Sequence, residues 1–143
     1  MIEKIEHNGQ ILAIILYNNY NNTGIKFFTP NDFSQQLAYM KHPKGKIIEP
    51  HKHILLPREV ANTQEVLFLK KGQLRVDFYN DNDYYLESII VSAGDVILLA
   101  SGGHGFEVLE EIEMIEVKQG PYAKEMDKVY FDGIAKNLIK LRG

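Results

Sequence analysis

Short apolar runs, the longest being residues 11–17, alternate along the whole chain with clusters of Asn, Asp, Gly and Pro. Runs this short, bounded by residues that favour turns, suit strands of a half-buried sheet far better than helices, which need longer periodic segments. Asn8-Gly9 is a strong tight-turn pair, because both residues tolerate positive φ, and it leads into a predicted strand at 10–17. Further strands are predicted at 25–29, 38–42, 45–53, 65–69, 73–79, 84–91, 95–99, 104–109 and 113–118. Lys71-Gly72, Asn80 to Asp83, Ala93-Gly94-Asp95 and Ser101-Gly102-Gly103 read as the turns between them. Asn31-Asp32 is placed to cap a short helix through Leu37. Ile134, Leu138 and Leu141 recur at helical spacing, so a short C-terminal helix is expected over 134–141. Many sequential short strands form a sandwich or a closed barrel.

The length of 143 residues suits one domain. Within it, N-terminal strands occupy 10–42, the motif-bearing region 45–122 and a tail 123–143. Area scaling sets roughly 7,500 Å² for a folded monomer of this mass. Sixteen Lys and Arg against nineteen Asp and Glu leave a net charge of −3, which gives no electrostatic pull toward nucleic acid or an anionic membrane. The N-terminus is interrupted by acidic residues where a signal peptide needs a basic start and an apolar run, so a cytoplasmic protein is expected. With no Cys, thiolate metal sites and Cys nucleophiles are excluded, and any metal must be held by imidazole and carboxylate.

The histidines carry the most chemistry. His51 and His53 lie two apart on a predicted strand, so both imidazoles project from the same face. Glu65 opens the next strong strand and His104 follows the Gly102-Gly103 turn, which would let three strands converge on one point. Three imidazoles and one carboxylate form a shell for a divalent ion with positions open to water or a ligand. His7 and His42 have no partner at such spacing and are expected on the surface or at a subunit contact.

Two ordered glycine-framed motifs surround these residues. Gly45, five residues, His51-Lys-His53, then Glu65, six residues and Gly72 form the first. Gly94, five residues, Ala100-Ser-Gly102 and then His104 form the second, with Ala100 where such motifs usually carry proline. Together they resemble the two motifs of the cupin superfamily, with a longer gap between His53 and Glu65 that makes 56–63 an inserted loop. The stretches 102–109 and 116–122 are similar to a small single-domain cupin subgroup associated with bacterial polysaccharide and nucleotide-sugar biosynthesis. The resemblance implies an all-β, single-domain jelly-roll β-barrel (double-stranded β-helix) in which His51, His53, Glu65 and His104 bind one divalent ion, iron, manganese, nickel or zinc.

Other residues suit a role beside such a site. Arg58, in the inserted loop, offers a bidentate fork to a carboxylate or phosphate, although its neighbour Glu59 makes a solvated pair equally natural. Alternation puts Met114, Glu116 and Lys118 on one face and Ile115 and Val117 on the other; with the polar row inward, Glu116 and Lys118 would pair with Arg75 and Asp77. Glu107 falls on the face opposite His104 and is left out of the metal shell. The expected function is a metal-binding protein acting on a small oxygen-rich metabolite, such as a sugar derivative, by isomerase, epimerase or oxygenase chemistry. The alternative is a non-catalytic module that binds or senses such a ligand. The apolar N-terminal strands would suit covering a second copy's sheet edge, so a homodimer is the expected assembly.

Overall fold

In the computed structural model, which describes residues 1–124 and 126–143, the chain is almost entirely β. Its strands are β1 (Ile2–His7), β2 (Gln10–Leu16), β3 (Gly24–Phe27), β4 (Ala38–Lys41), β5 (Glu65–Tyr79), β6 (Tyr85–Ser92), β7 (Val96–Leu99) and β8 (Gly103–Lys118). The Asn8-Gly9 turn, with φ of 50° and 76°, closes a β1–β2 hairpin; β1, absent from the sequence-based expectation, is held in the sheet by the buried Ile5. The main sheet runs β1-β2-β7-β5-β6, all antiparallel, with β8 along the other edge of β5; β3 and β4 form a separate hairpin.

Strand β5 is the spine. On one edge its first residues, Glu65 to Phe68, pair with β7, and its last, Gln73 to Tyr79, pair with β6. Along its other edge β8 follows it from end to end. Leu67 and Leu69 from the first half and Leu74, Val76 and Phe78 from the second lie buried in one core cluster. Leu69 and Leu74 are an odd number of residues apart, so simple alternation would put them on opposite faces. Register irregularities between Leu69 and Leu74 reset the parity. The β5–β8 ribbon thereby folds over on itself and the sheet curls into an antiparallel half-barrel around this core. A second cluster, built on Ile14, Leu98 and Phe28, sits on the outer face, where Tyr39 of β4 packs against it.

The bend corrects one expectation. Lys71-Gly72 is not a turn between two strands but the hinge inside one continuous strand, and 104–109 and 113–118 likewise belong to the single β8. Gly72 adopts φ +88°, and a Cβ there would come 2.1 Å from the Glu111 carbonyl oxygen, so only glycine lets the two strands cross the bend in contact.

Two predicted helices are also absent. Over 31–37 the side chains take the backbone's partners: Gln36 Nε2 donates to the Pro30 and Phe33 carbonyls, and Thr29 Oγ1 donates to Gln36 Oε1. Over 134–141 only Lys136–Leu138 turns, as a 3-10 turn. Beyond it the chain is extended against β6, with Ser88 N–H donating to the Lys140 carbonyl and Arg142 N–H to the Ser88 carbonyl, both at 2.8 Å. Residues 45–53 form no strand and are exposed. No helix among the described residues is long and apolar enough to cross a membrane.

Replacing Gly72 by Ala should lower the thermal midpoint well beyond the effect of the same change at Gly24. Gly24 shares the positive φ (+80°) but has nothing within 4 Å of a Cβ, so equal losses in thermal denaturation would remove the packing argument for the hinge.

Candidate functional site

Folding the β5–β8 ribbon brings the start of β5 to the start of β8. Glu65 is paired in register with Lys118, and His104 with Phe78, at opposite ends of the same ribbon. Even so, His104 Nε2 lies 2.9 Å from Glu65 Oε1, with the side chains 30% and 15% exposed. The Ser101-Gly102-Gly103 turn, with Gly102 at φ +71°, delivers His104 to this mouth. The row Met114, Glu116 and Lys118 faces Leu69, Leu67 and Glu65 in register, so it lies on the inner face.

Glu116 shares a hydrogen bond with Glu65, and the two carboxyls titrate in opposite directions. The hydrogen bond from His104 is the chief cause that holds Glu65 down at about 2, against the opposing effect of burial. Glu116 is pushed above the ordinary carboxylate value, first by its hydrogen bond to Glu65 and then by desolvation. At neutral pH the mouth therefore combines an ionised Glu65, an imidazole bonded to it and a second carboxyl whose ionisation is disfavoured relative to an ordinary glutamate. Lys118 Nζ sits over the Tyr122 ring, 5.9 Å from its centroid, and its charge favours the ionised form of both carboxyls.

The mouth opens into a cleft of about 660 Å³, within the range of small-molecule sites. Its far wall comes from the tail, including Lys128, Val129, Tyr130 and Phe131. Phe131 makes an edge-to-face contact with Tyr79 at 5.0 Å, and Ile134 N–H donates to the Tyr79 hydroxyl at 3.0 Å. The sequence-based expectation for the tail is a short helix over 134–141, which assigns no role to 128–131. The aromatic pair Tyr130-Phe131 before Gly133 was the one local signal that it docks.

The sequence-predicted residues are divided between two places. Glu65, His104, Glu116 and Lys118 meet at the mouth. His51 and His53 are together elsewhere, on the exposed segment, their rings edge-to-face at 5.5 Å as expected for side chains two apart. His51 Nδ1 lies 2.9 Å from the Glu49 carbonyl, which accepts its proton and leaves Nε2 with the free lone pair. Among the described residues no three His, Asp or Glu groups are arranged to hold a metal ion. The four-ligand shell is thus not assembled within one chain: half the donors are at the mouth and half on the segment.

Arg58 is exposed on that same segment and lies outside the cleft lining. Arg75 and Asp77 do not pair with Glu116 and Lys118. They lie on the outer face, because Arg75 alternates against the buried Leu74 and Val76. There Arg75 Nε and Nη2 bond both oxygens of Asp77 at 2.8 and 3.0 Å, and Nη1 bonds Glu107. Ser88 Oγ donates to Asp77 as well. Glu107 points away from His104, as alternation predicts. His42 has its Nε2 buried without a hydrogen-bond partner.

Comparisons of the chain with protein-family models, with curated proteins and with solved structures gave no match.

A carboxylate whose native pKa is depressed contributes stability that is present above its unfolded value and lost as pH falls. For Glu65 that window runs from 4.5 down to about 2, so urea unfolding should weaken across it, and Glu65→Gln should flatten the slope. Glu116 has the opposite sign, so Glu116→Gln should stabilise the protein at neutral pH. A Glu116→Gln variant that is weaker at pH 7 would contradict the shared-proton arrangement. On the outer face, Arg75→Met leaves Asp77 buried without its cation and should cost about 3 kcal/mol, measured by the same unfolding curves, without changing the cleft.

Proposed function

We propose that the cleft binds a small oxygen-rich metabolite, of the sugar-derivative class, and that the Glu65–His104 pair moves protons on it in an isomerase- or epimerase-type reaction. The observation that carries this reading is the His104–Glu65 contact of 2.9 Å at the mouth of a cleft large enough for such a ligand. A half-barrel with its polar cluster at one mouth also fits the jelly-roll, cupin-like architecture that the motifs at 45–122 imply.

The chemistry follows from the groups present. Glu65, ionised and bonded to Nε2, fixes the imidazole ring and leaves Nδ1 as the nitrogen that can exchange a proton with a ligand. Glu116, behind Glu65, hydrogen-bonds that carboxylate and so helps to position it, while Lys118 on the cleft wall offers a cation to a ligand oxygen. Phe106 and Phe131 line the cleft beside Asp81, Asp83 and Asp127. Aromatic faces next to carboxylates match a molecule with C–H faces and hydroxyl edges. Because the donor set for a metal is divided, no step is assigned to a metal ion here.

The test is a thermal-shift screen with hexoses, hexose phosphates and nucleoside-diphosphate hexoses, followed by incubation of each hit in D₂O. At least one probe should raise the midpoint, acquire deuterium on a carbon and lose both effects in His104→Ala and Glu65→Gln. A hit that binds equally well to both variants would place the ligand elsewhere. Binding abolished by the variants, but with no deuterium in the wild-type incubation, would favour the non-catalytic module.

A further inference from the structure

The half-barrel is open along β8. That strand pairs with β5 on one edge, and among the described residues no strand pairs with the other. Phe106, Val108 and Met114 are exposed on its inner row, and Ile115 and Val117 on its outer row. A long, exposed, apolar strand edge is a feature that proteins cover. Meanwhile residues 43–63 are exposed throughout and contain no strand. Their apolar side chains are spread out in solvent, with Ile47 at 73%, Ile54 at 81% and Leu55 at 100% exposure.

The two exposed features match. The segment carries Lys44, Lys46, Lys52 and Arg58 against Glu49 and Glu59, while β8 carries Glu107, Glu110, Glu111, Glu113 and Glu116 against Lys118. An extended segment laid along an edge also presents alternate residues to both faces, as two apolar rows on β8 require.

Area sets the scale. The chain exposes 10247 Å², roughly 2,700 Å² more than the scaling law gives for a folded monomer of its mass. An excess of this size on each of two chains is enough to supply an obligate dimer interface, which buries about 2,000 to more than 5,000 Å² in total. The chain also holds the returning end of its own segment elsewhere. Gln64 Oε1 accepts from Ser34 Oγ and Gln35 N–H, and Val60 and Ala61 line a cleft beside the β1–β2 turn.

We infer that residues 45–57 of a second copy of this chain cover the open side of the half-barrel, pairing along the free edge of β8 and bringing that copy's His51 and His53 to the mouth holding Glu65 and His104. The exchange is reciprocal, so a two-fold dimer closes both barrels and completes both mouths. The interface stands on the exposed segment, the open edge and the area. Only the delivery of the histidines rests on the proposed site.

Sedimentation velocity on the full chain tests the interface. The wild type should run at twice the 16.4 kDa chain mass, and Ile54→Asp/Leu55→Asp should run as a folded monomer, as should Val108→Asp. Ile54 and Leu55 are 81% and 100% exposed in the single chain, so their substitution does not threaten its fold. His51→Ala/His53→Ala should remain dimeric. A monomeric wild type, or a dimer that survives both Asp variants, overturns the inference. Because the chain has no Cys, Leu55→Cys and Val108→Cys chains carrying different tags can be mixed and joined by a short bis-maleimide. Linkage between chains is expected. Linkage only within a Leu55→Cys/Val108→Cys chain would show the segment folding back on its own body and contradict the exchange.

For the histidines the probe is cobalt(II) alone, read by visible absorption. Wild type should bind it, His104→Ala and His51→Ala/His53→Ala should each fail alone, and the two refolded together should recover part of the signal. No recovery in a mixture shown to contain mixed dimers overturns delivery between chains. A dimeric wild type that takes up no cobalt removes the metal reading of the mouth and leaves the interface standing.

Discussion

The packing of Leu67 and Leu69 against Leu74, Val76 and Phe78 is the contact on which the rest of the structure depends. These residues come from the two halves of one strand, and they share a core only because β5 bends at Gly72 with its register reset. Burial of each such side chain is worth about 1.5–3 kcal/mol, and here the same burial also fixes where the ends of the ribbon meet. Glu65 precedes Leu67 on the inner row and His104 faces Phe78. Their contact is therefore a consequence of the core, not an independent attraction between distant groups. Moving the bend by one residue would turn the inner row outward and separate the two.

That dependence explains the electrostatics of the mouth. Two carboxyls packed side by side at one end of a curled sheet compete for ionisation. Glu65 keeps its charge because His104 bonds to it, and Glu116 is pushed toward its neutral form by Glu65. The result is an ionised carboxylate bonded to an imidazole, 2.9 Å apart on the wall of a partly shielded cleft, an arrangement suited to proton transfer on a polar ligand. The tail adds the aromatic wall, and Arg142 anchors its end to Glu87 at 2.6 Å and to Glu3 at 3.3 Å.

Much of this was legible in the sequence, and the failures have physical reasons. The β rhythm and the Asn8-Gly9 turn are local signals, and the strands at 10–16, 24–27, 38–41, 85–92 and 96–99 followed them closely. Lys71-Gly72 misled because a glycine at positive φ looks the same in a turn and in a strand bend; only the parity of Leu69 and Leu74 distinguishes them. Glu65 and His104 were correctly brought to one place, and Glu116 and Lys118 were weighed beside them. The pairing of Arg75 and Asp77 with Glu116 and Lys118 depends on the polar row of β5 facing inward, and the sequence, which offers an apolar row and a polar row, does not say which one Glu116 lines. His51 and His53 hold their rings 5.5 Å apart on a segment that forms no strand, and spacing within a segment says nothing about which body the segment docks on. That is a property of the open β8 edge, and no local pattern reports it.

The folding of the ribbon end to end is tested most directly by nitrogen-15 spectra of the histidine side chains in the wild type and in Glu65→Gln. With Glu65 Oε1 accepting from Nε2, His104 should show a proton resident on Nε2 in slowed exchange with water, and Glu65→Gln should shift that resonance while leaving His7 and His42 unchanged. A His104 imidazole indifferent to the substitution at Glu65 would mean that the two ends of the ribbon do not meet, and the mouth as described would not exist.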